Sequence, residues 1–63
     1  MTVIDMPEGP VEALPGVSIE EAVRDAGYTP DSFIFLIGGR PVPMDSVPPE
    51  GSKVTALRVA SGG

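Results

Sequence analysis

Neither cysteine nor histidine occurs in this chain of 63 residues, and the two absences remove much of protein chemistry. Without Cys there is no disulfide to staple a small domain and no thiolate nucleophile. Without His there is no imidazole general base, and the mixed Cys/His sets of structural zinc sites cannot be assembled. Basic residues are scarce as well: four Lys and Arg face nine Asp and Glu, leaving a net charge of -5. That sign repels a phosphate backbone, so direct binding of nucleic acid is not expected. Long apolar runs are also missing. The longest, Phe33 to Ile37, falls far short of the roughly 20 residues of a membrane span, and Met1-Thr2-Val3-Ile4-Asp5 lacks the basic region and long apolar stretch of an export signal. No membrane partner is expected, and the cytoplasm is the expected compartment.

What is present fits one small domain. A chain of this length buries roughly 60% of its unfolded surface and retains roughly 3 to 9 kcal/mol of net stability. Eight Gly and eight Pro bring the chain close to the composition of low-complexity disorder. Its hydrophobic residues, 41% of the total, nevertheless gather into periodic blocks that Pro and Gly punctuate from outside. That pattern predicts an ordered domain with many tight turns.

The blocks can be read in order. Thr2 to Met6 is a weakly alternating β-branched segment, Pro7-Glu8-Gly9-Pro10 breaks it, and Val11 to Leu14 returns, as in a hairpin. Ser18 and Glu21 stand at capping-box spacing, with Ile19, Ala22, Val23 and Ala26 on one face, so a helix is predicted over Ile19 to Ala26 with Gly27 as its left-handed cap. Glu20 and Arg24, four apart with the acid first, support its outer face. Phe33 to Ile37 reads as a strand, Gly38-Gly39 as a hairpin turn, and Arg40 to Val42 as a short edge strand limited by Pro41 and Pro43. The segment from Lys53 to about Val59 alternates, with Thr55, Leu57 and Val59 on one side and Val54, Ala56 and Arg58 on the other.

The order β, β, α, β, β, β predicts an α+β domain: a mixed sheet of four to five strands with one helix packed across it, the β-grasp arrangement. A right-handed crossover sets the last strand beside the first, in the middle of the sheet. Residues 1–59 are expected to form this domain and 60–63 a flexible tail, because consecutive terminal glycines lose the most entropy on ordering and bring no side chain to pack.

Two segments carry a family resemblance: Phe33-Ile34-Phe35-Leu36-Ile37-Gly38-Gly39-Arg40-Pro41-Val42-Pro43, and Leu57-Arg58-Val59-Ala60-Ser61-Gly62-Gly63. With the element order, they resemble the ubiquitin-like small archaeal modifier proteins. The chain is similar also to the sulfur carriers of thiamine and molybdopterin synthesis and to the ubiquitin-related modifier. The resemblance implies that the chain is not itself an enzyme and that its reactive group is the α-carboxylate of Gly63, with Gly62 before it. A ubiquitin-activating-type enzyme would adenylate that carboxylate using ATP and magnesium, and no cofactor would be stably bound by the chain. A sulfur donor would then yield a thiocarboxylate for tRNA thiolation or cofactor synthesis, or a target lysine would yield an isopeptide bond. The alternative is a ubiquitin-like interaction module without terminal chemistry, and in either case a monomer is expected.

Several side chains complete the expected site. If Phe33, Phe35 and Ile37 face the helix, Ile34 and Leu36 point outward, and with Ala56 and Arg58 they would form the surface gripped by an activating enzyme. Ordinary exposed aliphatics and a merely solvated arginine account for the same residues. Lys53, the only lysine, is a possible modification acceptor, as is the α-amine. Gly38-Gly39-Arg40 lacks the strand-to-helix context of a phosphate loop, and Glu20, Glu21 and Asp25 read as a solvated helix face.

Overall fold

The computed structural model describes residues 1–59; the expected tail 60–63, with Gly62 and Gly63, lies outside the described residues. β1 (Thr2–Met6) and β2 (Gly9–Ala13) precede α1 (Ile19–Asp25). A 3-10 turn (Pro30–Ser32) then leads into β3 (Phe33–Ile37), β4 (Arg40–Val42) and β5 (Lys53–Arg58). The strands form one sheet in the order β2-β1-β5-β3-β4. β1 and β5 are parallel, and the other neighbours antiparallel. This is the expected α+β architecture, a mixed five-stranded sheet with one helix and the last strand at its centre.

The helix forms where its caps require. Ser18 sits in extended conformation and its hydroxyl accepts from the Glu21 amide at 3.3 Å, the first half of the expected box. The two amides before it are satisfied from a distance: Ile19 donates to the Ser46 carbonyl and Glu20 to the Met44 carbonyl. The loop after β4 thus closes over the helix start and meets donors that a helix leaves unpaired. Ile19, Ala22 and Val23 are buried as expected, but Ala26 is the exposed cap residue rather than part of the apolar face. Gly27 follows at φ +94°, a left-handed conformation that ends the helix at its Ala26 cap.

Ile4, Met6, Ala13, Ile19, Ala22, Val23, Phe33, Phe35, Val54 and Ala56 make the core between sheet and helix. Thr2 is buried among them, and its hydroxyl donates to the Pro49 carbonyl, so its polarity is matched. Both sheet edges carry proline. Pro10 lies opposite Asp5 on β2, and Pro41 opposite Leu36 on β4. A proline cannot donate to a ladder, so each sits at a non-hydrogen-bonded pair, where main-chain groups turn outward. The return strand therefore includes Pro10 and begins two residues earlier than the Val11 predicted from sequence. An edge tolerates proline there and gains protection against pairing with another chain.

Candidate functional site

The face of the sheet away from the helix follows from register. Ile34 lies opposite Leu57, and Leu36 opposite Thr55; residues directly opposite share a face. Ile34 and Leu57 are 46% and 50% exposed, and Leu36 and Thr55 are half-buried beside them. Pro41 continues the row beyond Leu36, and Asp5 continues it beyond Thr55. The result is an apolar stretch over β3 and β5, bordered by an exposed carboxylate on β1. A second row carries Glu12, Val3 and Lys53, which leaves the lysine exposed.

This geometry corrects two expected members of the surface, Ala56 and Arg58, which both fall on the helix side of the sheet. Ile34 and Leu36 do face outward, but Ala56 does not join them. It pairs with Phe35, is only 4% exposed and belongs to the core. Register decides this: a residue opposite an inward phenylalanine must itself point inward. Its place on the outer face is taken by Leu57, which the alternation had put with Thr55 on the opposite side from Ala56.

Arg58 shares the parity of Ala56, and lies at the rim on the helix side. Its guanidinium carbon sits 5.1 Å from the centre of the Phe33 ring, and a guanidinium nitrogen lies 3.6 Å from a Glu8 carboxylate oxygen. Tyr28 meets the same ring edge-on at 5.8 Å. Arg58 therefore covers an edge of the aromatic core and ties the β1–β2 turn to the end of β5. Glu8 had no signal in the sequence, because only the fold brings the turn beside the last strand.

Between the end of β1 and the end of β5 lies a groove of about 400 Å³, lined by Asp5, Met6, Pro7, Thr55, Ala56, Leu57 and Arg58. At the opposite end of β1 the Met1 amino group pairs with Glu50. Among the described residues no group of three or more Asp and Glu side chains is placed to hold a metal ion, and no helix is long and apolar enough to cross a membrane. The reactive positions expected at Gly62 and Gly63 lie outside the described residues. No protein-family model matches the chain, and no curated protein matches it.

Proposed function

We propose that the chain is a β-grasp, ubiquitin-like modifier or sulfur carrier of the small archaeal modifier kind, acting through the carboxylate of Gly63. The observation that carries the reading is the position of β5. It is the last strand among the described residues and lies between β1 and β3 at the middle of the sheet, so the Gly-Gly end of the sequence follows in sequence from a central strand. In this reading Ile34, Leu36 and Leu57 present an apolar surface to a ubiquitin-activating-type enzyme, and Arg58 lies on the other face of the sheet.

The chemistry asks nothing of the chain's own side chains. A Gly63 carboxylate oxygen attacks the α-phosphorus of ATP bound with magnesium on the activating enzyme, and pyrophosphate leaves. The acyl-adenylate is a far better electrophile than the carboxylate. A target-lysine amine that attacks it expels AMP, loses a proton and forms an isopeptide bond. A donor persulfide that attacks it also expels AMP and gives an acyl disulfide; a second thiol then attacks the donor's own sulfur, forms a disulfide with the donor and releases the thiocarboxylate, which keeps the transferred sulfur. Glycine suits the role because Gly62 and Gly63, without Cβ atoms, would pass through a narrow channel against enclosing backbone. The proteins implied as partners are therefore the activating enzyme and either target lysines or a sulfur donor and acceptor, and the cytoplasm is the compartment where they would meet.

A non-covalent module would use the same apolar surface without terminal chemistry. Enzyme-catalysed exchange between ATP and pyrophosphate separates the two. The chain is expected to support exchange, and Gly63→Ala or removal of Gly63 to abolish it with the fold intact. Normal exchange by either variant would contradict the proposal.

A further inference from the structure

The pairing of β5 is unequal on its two sides. β3 accompanies it from Val54 to Arg58, whereas β1 accompanies it only from Lys53 to Thr55. The Val59 amide donates to the Ser32 carbonyl at 2.9 Å, which sets the alternation of the antiparallel ladder. Thr55, Leu57 and Val59 turn their main-chain groups toward β3, while Val54, Ala56 and Arg58 turn theirs toward β1. Continuing the parallel register would place Met6 opposite Ala56 and require residue 7 to donate to the Ala56 carbonyl. Residue 7 is proline, which has no N–H, and the chain turns away there into β2. Among the described residues, the Ala56 carbonyl and the amide and carbonyl of Arg58 therefore face the groove without a strand partner.

We propose that this open stretch of β5 binds an extended, basic peptide segment of a partner protein, which adds its main chain beside Ala56–Arg58. Main-chain pairing gives the affinity, and alternate side chains give the selectivity. On the outward side the peptide meets Asp5, Thr55 and Leu57. Asp5 is exposed and has no ion-pair partner among the described residues, so a cationic side chain is the complement it lacks. Glu8 pairs with Arg58 beside the groove and offsets its charge, and the net charge of -5 draws a basic segment toward the chain. On the inward side the peptide runs along the stem of Arg58, which calls for apolar residues at alternate positions. The site does not depend on terminal chemistry and stands or falls without it.

The test is an NMR titration of the full-length ¹⁵N-labelled chain at low salt with no nucleotide present, so that adenylation plays no part. The probe is an acetylated and amidated heptapeptide of alternating lysine and valine. Saturable shifts are expected at the amides of residues 55–59 and of Asp5, Met6 and Glu8, with slowed exchange of the Arg58 amide. N-methylation of every second peptide amide is expected to abolish binding in one frame and spare it in the other. Asp5→Asn, an exposed change, should weaken binding roughly 3- to 10-fold, the scale of one charge-assisted hydrogen bond. Pro7→Ala restores a donor for the Ala56 carbonyl and should also weaken binding. The assignment is overturned if the shifts fall on Ile34 and Leu36 or the β4 edge instead, or if both methylated peptides bind alike. It is equally overturned if glutamate in place of lysine binds as well, if no saturation occurs, or if the groove amides already shift with chain concentration alone, which would mark a second copy as the occupant.

Discussion

Arg58 offers the sharpest test of how the end of β5 is held. Its guanidinium makes two contacts of different physics: one to the face of a buried ring 5.1 Å away, the other to a carboxylate oxygen at 3.6 Å. The ion pair joins side chains that are 57% and 65% exposed, so solvent screening keeps it at the low end of about 0.2 to 1 kcal/mol. The cation–π contact at a part-exposed site contributes about 0.5 to 1 kcal/mol, and the arginine stem shields a phenylalanine that is otherwise buried. Arg58→Ala is therefore expected to cost about 1 to 1.5 kcal/mol, most of it through Phe33. For a domain this small that lowers Tm by roughly 4 to 12 °C and leaves the fold intact. Double-mutant cycles from urea unfolding divide the effect. Coupling between Arg58→Ala and Phe33→Leu should be about 0.5 to 1 kcal/mol and survive in 1 M salt, where the screening length falls to roughly 3 Å. Coupling between Arg58→Ala and Glu8→Ala should be smaller and vanish in that salt. The reasoning fails if the Phe33 coupling is zero, or if the Glu8 coupling is the larger of the two and resists salt.

Adjacent residues on β5 should behave oppositely. Ala56→Leu forces a larger side chain into the core opposite Phe35 and should cost about 1 to 3 kcal/mol, whereas Leu57→Asp should change stability by about 0.5 kcal/mol or less; urea unfolding checks both. In an activation assay Leu57→Asp and Leu36→Asp should lower the rate with the fold retained, by weakening the apolar surface. Gly27→Ala meets no atom within 4 Å of its new Cβ, so its cost is the left-handed backbone alone, about 1 to 2 kcal/mol less a part recovered from the stiffer unfolded chain. A larger loss in thermal unfolding would mean that something other than backbone conformation is at stake there.

The parts of the fold legible in the sequence are those set by local chemistry. Ser18, the spacing of Ile19, Ala22 and Val23, and Gly27 bound the helix to within one residue. Gly38 and Gly39, at φ +60° and +81°, make the tight turn that joins β3 to β4, since two successive positive φ angles match the right-handed twist of the strands. Pro41 marks a short edge strand for the reason that held at the sequence level, its missing donor. Register was not legible, because it is a property of two strands at once. The alternation of β5 is legible in its residues, yet which of its faces lies beside Ile34 depends on pairing 34 with 57 rather than 56. Alanine gives no help with that choice, being small enough for either side. The groove was hidden for the same reason: Pro7 reads as a turn residue in sequence, and only beside Ala56 does its missing N–H leave a carbonyl free.

The central claim concerns the far end of the chain, and mass spectrometry of material from the native cell, intact and after digestion, tests it most directly. Arg58 is the last site for trypsin, so a lysine conjugated through Gly63 must carry Val-Ala-Ser-Gly-Gly after digestion. A sulfur carrier must instead show an intact chain heavier by about 16 Da, as one carboxylate oxygen gives way to sulfur. The account predicts that material from the native cell carries one or both marks. Native chains that extend past Gly63 and are never trimmed, or that carry neither mark when the activating enzyme, ATP and a sulfur donor are all supplied, would contradict it.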